Sequence, residues 1–201
     1  HLDQDHSGAF PIIQKNFEIS QVQSNEYDQK MQFKNNFSFC QQGQHWSYEN
    51  LKVEILSPKS DELIHAKDQQ NEYSCVVYLQ FLNAQPYQNF LIMGDAGWEA
   101  EYKLMQQYPD LKVDVLILGH HGSKHSSAYD FLAILKPKLA IASAGFDNRY
   151  GHPSQELKNR LQALHIPLLT TVEAGTIRFV FENGQVELRQ QRQQIKWLER
   201  K

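Results

Sequence analysis

Four potential metal ligands fall within the first six residues, His1-Leu2-Asp3-Gln4-Asp5-His6. Imidazole and carboxylate together suit borderline divalent cations such as Zn²⁺, and the oxygen-rich half suits Mn²⁺. On a loop after a strand, alternate side chains of such a run can converge on two neighbouring points. A solvated acidic turn is the plainer reading, but it does not explain two histidines and two aspartates in this order ahead of Ser7-Gly8. Asp95, in Met93-Gly94-Asp95, closes a predicted strand, where a carboxylate would face a cleft at the strand's carboxyl end. Taken alone, it is also what an ordinary Gly-Asp turn looks like.

Two further segments carry the same chemistry. In Gly119-His120-His121-Gly122-Ser123-Lys124-His125-Ser126-Ser127, one of His120 and His121 is expected to bind metal, and the spacing does not say which. Gly122 lets the backbone turn sharply. Ser126 or Ser127 is expected to cap the next helix, whose amide end favours an anion. His125 reads as an exposed polar residue. In Asn148-Arg149-Tyr150-Gly151-His152-Pro153, His152 is a candidate late ligand or proton donor, and Arg149 a candidate phosphate contact. Ser123, Lys124, Asn71 and Arg149 are the candidate substrate contacts, although Asn71 and Ser74 fit a purely structural turn equally well. His45, His65 and His165 read as surface or packing residues.

The elements that must hold these residues follow from periodicity. Leu51 to Leu56 alternates apolar and polar, so it predicts a strand ended by Ser57-Pro58. Ser74 to Phe81 and Phe90 to Met93 predict a strand pair, and Val113 to Leu118 a buried strand. Helices are expected over Trp98–Tyr108, Ser127–Leu135 and Gln155–Leu164, the last capped by Ser154. Leu139–Ala142 and Leu168–Val172 predict strands, and Asn183-Gly184 marks a hairpin between Thr176–Phe181 and Val186–Arg189. Strands alternating with short helices argue an α/β fold.

The chain has 201 residues, 41% of them apolar, and a formal net charge of −3. That suffices for one cored domain and argues against a strongly basic nucleic-acid coat. It does not exclude a nuclease, because bound cations supply local positive charge. Residues 14–50 are rich in Gln, Asn and Ser and read as a polar insertion with small ordered patches. Residues 190–201, with Arg192, Lys196, Arg200 and Lys201, read as a basic polar tail and more readily as a solvated surface than as a DNA clamp. Cys40 and Cys75 fit no zinc-ligand pattern, and two free thiols are favoured over a bridge. No run approaches a membrane span, and no signal peptide is visible.

The first motif resembles the His-x-His-x-Asp-His signature of the metallo-β-lactamase superfamily, with Asp3 in place of the second histidine. Together with His120-His121-Gly122-Ser123-Lys124 and Asn148-Arg149-Tyr150-Gly151-His152-Pro153, it is similar to the C-terminal domain of ComEC-type DNA-uptake channel proteins. The likeness runs discontinuously from His1 to about Val180 and skips residues 14–50. It implies a metallo-β-lactamase fold (an αββα sandwich), and the strands expected before His1 are missing. It implies one or two Mn²⁺ or Zn²⁺ ions held by His1, Asp3, Asp5, His6, Asp95 and one of His120 and His121. Asp95 is then the bridge, and Asp5, Asp95 and His152 carry catalysis. Many superfamily members place another histidine between the first motif and the bridging Asp. Neither His45 nor His65 stands in a convincing context, and Ser57 stands where that histidine would be natural.

By the same resemblance the domain is a deoxyribonuclease that degrades the strand not imported during natural transformation. Its partners are DNA and the rest of a membrane channel. Its place is a soluble domain of a bacterial inner-membrane protein, on the periplasmic face. Another phosphoesterase or lactonase of this fold is an alternative, and a catalytically degenerate domain that binds DNA or channel partners is another. A β-lactamase proper fits least.

Overall fold

A computed structural model of the protein describes residues 1–31, 33, 36–65 and 69–192. The expected basic tail lies outside the described residues from 193 onward. In chain order the elements are α1 (Gln4–Ser7), α2 (Phe10–Asn16), β1 (Val22–Ser24), β2 (Phe37–Phe39), β3 (His45–Ser47), β4 (Leu51–Ser57), β5 (Val76–Phe81) and β6 (Asn89–Ile92). They continue as α3 (Trp98–Gln107), β7 (Val115–Ile117), α4 (Tyr129–Leu135), β8 (Leu139–Ala142), α5 (Gln155–Ala163), β9 (Leu168–Thr170), α6 (Thr171–Ala174), β10 (Ile177–Glu182) and β11 (Gln185–Gln190).

Strands β3 to β9 form one seven-stranded sheet in sequence order. The first four are antiparallel neighbours, and β6 to β9 run parallel. Each parallel step is a crossover through α3, α4 or α5. Because strand side chains alternate between faces, Leu91, Leu116, Ala140 and Ala142 point to the helices and join Ala100, Leu104, Phe131, Leu132, Leu157 and Leu161. Phe90, Val115, Leu139 and Ile141 point the other way, against Ile177, Phe179 and Leu188 of the β10–β11 hairpin. Both faces are covered, which is why these strands read as unbroken apolar runs. Gln85 bonds the hairpin backbone to the main sheet in both directions (2.9 and 2.7 Å).

The result is an α/β fold in three layers, helices on one face of the seven-stranded sheet and the two-stranded hairpin on the other. The fourth layer of a complete αββα sandwich is absent among the described residues. Asn183 (φ 51) and Gly184 (φ 76) make the hairpin turn in the left-handed region, as Asn-Gly predicted. Ser154 caps α5 by accepting the Leu157 amide.

Three expectations are corrected. The expected strand Leu168–Val172 ends at Thr170, whose hydroxyl accepts the Glu173 amide and so opens α6. The first motif is only half a loop: His1 to Asp3 precede the one-turn helix α1, which carries Asp5 and His6. Cys40 and Cys75 are joined by a disulfide, with Cα atoms 6.0 Å apart, so the favoured free-thiol reading fails. The spacing of 35 residues could not reveal this, because only the folded path of 14–50 brings the two sulfurs together. That segment carries an aromatic cluster of Tyr27, Phe33, Phe37 and Phe39, which Phe10 of α2 joins, and its last strand, β3, pairs with β4 at the sheet edge.

Candidate metal centre

The chemically able side chains meet at the carboxyl ends of the parallel strands, where open α/β sheets place their ligands. Asp95 follows β6, the His120-His121 turn follows β7, and the Ser143–His152 loop follows β8. Asp95 is 4% exposed and lies at the centre. Its Oδ1 is 3.1 Å from His6 Nε2 and 3.6 Å from His121 Nε2. Its Oδ2 is 3.6 Å from His1 Nε2 and 4.0 Å from His120 Nε2. Asp5 completes the first set, 2.9 Å from His121 and 3.8 Å from His6. Asp3 adjoins the second, 3.6 Å from His1. One carboxylate thus presents each oxygen to a different group of donors.

The electrostatics match that crowding. Burial works against the Asp95 carboxylate, yet the His6 hydrogen bond and the imidazoles of His6, His121 and His120 together bring its pKa below the usual value. The Asp95 bond raises the pKa of His6, with burial opposing it. Even so, His1 Nε2 is buried without a hydrogen-bond partner, and the buried Asp95 Oδ1 and His121 Nε2 have only imidazole–carboxylate pairs around them. Buried polar atoms are rarely left so. Ligand atoms of His1, His6 and Asp95, and again of Asp5, His6 and His121, lie within 4.8 Å of one another. A donor set of imidazole nitrogens and carboxylate oxygens this close together fits divalent cations.

The backbone is built to hold this arrangement. Gly94 has φ +57, and a Cβ there would stand 3.0 Å from Ser74 Cβ. Ser74 Oγ accepts the Asp95 amide (3.1 Å) and lies 3.5 Å from His1 Nδ1. His120 and His121 both adopt left-handed φ (47° and 56°), a conformation that non-glycine residues hold only when their surroundings impose it. Here the His120 amide donates to Gly94 (3.0 Å), and a Cβ on Gly119 would meet the Ala96 carbonyl at 2.2 Å. His121 Nδ1 donates to the Ser143 carbonyl (2.8 Å), which leaves Nε2 bare toward Asp5 and Asp95.

The centre opens into a cleft of about 550 Å³ lined by Asp3, Asp5, Asn71, His120, Arg149 and His152 among others. The His152 ring is 5.8 Å from His120, and burial followed by His120 and His121 pushes its pKa down. Arg149 is exposed and donates to the Tyr150 hydroxyl (2.6 Å).

Two expected substrate contacts lie elsewhere. Ser123 is 5% exposed beneath the turn, where its hydroxyl accepts the His125 amide, and Lys124 is exposed but does not line the cleft. Neither Ser126 nor Ser127 caps α4: the residue at its start is Ala128, and no side chain of its own caps it. The Ser127 and Ala128 amides go instead to the carboxylate of Glu101, on α3, which sequence reasoning missed. His45 sits on the edge strand β3, and His65 lies beside Tyr73, the rings tilted and 6.5 Å apart. Neither enters the centre. The polar neighbour of His1 and Asp95 is Ser74, not Ser57.

Fold and centre define an α/β domain with a clustered His/Asp site at the carboxyl ends of its parallel strands. ComE operon protein 3 of Bacillus subtilis (strain 168) is 31% identical over 194 residues, 91% of this chain and 24% of that protein. Competence protein ComA of Neisseria gonorrhoeae is 32% identical over 188 residues, 93% and 25% respectively. Recombination protein 2 of Haemophilus influenzae is 30% identical over 195 residues, 96% and 23%. The chain belongs to this ComEC family and spans about a quarter of the length of the curated relatives it matches. No protein-family model matches it. A solved structure from Parabacteroides distasonis ATCC 8503 overlaps it with a TM-score of 0.46 at 19% identity, over 75% of this chain and 63% of its own, too remote to bear on function.

Proposed function

We propose that this chain is the divalent-metal-dependent nuclease domain of a DNA-uptake channel, cleaving phosphodiester bonds of the strand that is not imported. The observation that carries the reading is the divided Asp95 carboxylate: His6, His121 and Asp5 on one side, His1, Asp3 and His120 on the other, with the orphaned His1 Nε2 among them. Asp5, His6, His121 and Asp95 would hold one Mn²⁺ or Zn²⁺ ion, and His1, Asp3 and Asp95 a second. When bound, such a pair supplies Lewis acidity toward a phosphoryl oxygen and makes water acidic near neutral pH.

The protein's own residues do the rest. Asp95 holds the two donor groups in register. The Ser143 carbonyl fixes the tautomer of His121. Arg149, with its planar fork on the cleft wall, suits a phosphate oxygen. Burial, and after it His120 and His121, push the pKa of its neighbour His152 down, which favours the neutral imidazole. In that form the ring can donate a hydrogen bond to the leaving oxygen or accept a proton from water, and protonating the leaving group would require its imidazolium form. Asn71 lines the same cleft and orients the substrate.

The names of the relatives support competence as the setting. The Cys40–Cys75 disulfide supports an oxidising compartment, in keeping with the periplasmic face of an inner membrane. Among the described residues no helix is long and apolar enough to cross a membrane. The remainder of a channel protein is the proposed partner.

The test incubates the chain with single- and double-stranded DNA, a phosphomonoester and a lactone, each with Mn²⁺, with Zn²⁺ and with chelator. Metal-dependent DNA cleavage that the chelator abolishes is expected. Turnover of the small esters alone moves the chain to another hydrolase class. DNA binding without cleavage under any ion overturns the enzyme reading.

A further inference from the structure

The double-histidine turn is strained, and what holds it lies in two helices that contribute nothing to the cleft. Glu101 of α3 is completely buried (0% exposed). Its Oε1 accepts the amide of Ser127, itself in the left-handed region at φ 55, and its Oε2 accepts the amide of Ala128 at 2.8 Å. Arg160 of α5 donates to the carbonyls of Ser126 (2.8 Å) and Lys124 (3.2 Å). Between these two grips Ser126 is also fully buried. Its hydroxyl reaches back to the carbonyls of Gly119 (2.7 Å) and Ser123 (3.1 Å), which flank the two histidines. The turn is thereby closed into a ring whose ends are set by Glu101 and Arg160.

A buried carboxylate is costly unless it is fully bonded. A glutamate inside the apolar face of α3 therefore needs an account beyond packing, since leucine or methionine would fill the space without that cost. The pattern of bonds supplies one. Both carboxylate oxygens take backbone amides from the segment leaving the turn, and every polar contact of Arg160 is to a backbone carbonyl of that segment. These contacts read position, not side-chain identity.

We propose that Glu101 and Arg160 are positioning residues that hold the turn so that His121 Nε2, and with it His120, faces Asp95. Glutamine at 101 would turn an N–H₂ toward one of the two amides, donor against donor. Methionine at 160 would release the Ser126 and Lys124 carbonyls. Either change lets His120 and His121 relax from left-handed backbone toward ordinary conformations and away from the centre. The proposal rests on the metal-binding reading of the site.

The experiment titrates Mn²⁺ and Zn²⁺ calorimetrically into wild type, Glu101→Gln, Arg160→Met and Val186→Ala, with thermal melting of each metal-free protein alongside. Val186 lies on the hairpin, on the far face of the sheet, and controls for lost stability. Positioning partners one step behind metal ligands typically cost about 10- to 100-fold in metal affinity when removed. A loss of that size is expected in the Glu101 and Arg160 variants and not in Val186→Ala at a comparable drop in melting temperature. Should Glu101→Gln fail to fold, Arg160→Met decides the matter. If the variants melt lower yet bind both ions as wild type does, the two residues are merely structural and the proposal is overturned. A wild type that binds neither ion overturns the metal reading and this proposal together.

Discussion

Reducing the Cys40–Cys75 bond is the perturbation whose size the structure sets best. The bridge closes a loop of 35 residues. In the chain-entropy treatment such a loop is worth about 4 kcal/mol, since the unfolded chain loses that conformational freedom when cross-linked. At roughly 2 to 4 °C per kcal/mol for a domain of this size, the melting temperature should fall by about 8 to 16 °C. The effect should also reach the centre. Cys75 follows Ser74, whose hydroxyl accepts the Asp95 amide. The loop it closes connects by further bonds: buried Asn25 donates to the carbonyls of Gln70 and Tyr73 (2.9 Å each), and Glu26 accepts the amide of Leu2 (2.9 Å). The segment read as a polar insertion thus braces both the first motif and the strand leading from Ser74. Metal-free protein should be melted oxidised, reduced with a phosphine, and as the Cys40→Ala/Cys75→Ala pair, with thiols counted by mass spectrometry after alkylation. The expected outcome is no free thiol before reduction, the stated drop after it, and weaker metal binding in both altered forms. Two alkylatable thiols in untreated protein, or a melting point indifferent to reduction, would refute the reasoning.

Other outcomes follow from the same geometry. Asp95→Ala should cost more activity than Ala at His1, Asp3 or His6 singly, because Asp95 turns one carboxylate oxygen to each donor group; a folded, metal-loaded Asp95→Ala enzyme with wild-type turnover would contradict the bridge. His121→Ala should lose more metal affinity than His120→Ala, since His121 has its Nδ1 committed to Ser143 and its Nε2 turned to Asp5 and Asp95, while His120 reaches only within 4.0 Å of Asp95; equal losses in calorimetry would sink the assignment. Burial pushes the Glu101 carboxyl from 4.5 up to about 7, against its bonds to the Ala128 and Ser127 amides and the charge of Arg160, and with a small contribution from Glu72. The folded state therefore holds this proton more tightly than the unfolded state. Stability from this group is greatest below pH 4.5 and declines as pH rises through about 7, by roughly 3 kcal/mol at most. Urea unfolding of the metal-free chain between pH 5 and 8 should show a fall that Glu101→Gln lacks; parallel curves would contradict it.

Much of the centre was legible because its residues are dense in short runs. Two histidines and two aspartates in six residues, and His120-His121 after an apolar strand, announce donors whatever the fold. The strands and helices that carry them were legible for a related reason. A strand covered on both faces must be apolar throughout, and a hairpin turn in the left-handed region asks for Asn-Gly. The departures lie where a partner comes from far along the chain. Ser126 and Ser127 resembled helix caps, yet the cap that forms is Glu101, 26 and 27 residues from the amides it accepts. Nothing in the spacing of a glutamate on an amphipathic helix marks it as buried.

The sequence alone determined which residue types gather and the order of strands that delivers them, because periodicity and turn chemistry are local properties. It left open which of two adjacent histidines faces the centre, whether two cysteines pair, and what the glutamine-rich segment is for. The histidine was decided only when β6, β7 and β8 ran parallel and brought three distant loops to one edge, and the cysteines and the glutamine-rich segment only by the folded path of residues 14–50. A contact between groups tens of residues apart depends on the whole path of the backbone between them, and no local pattern encodes that path.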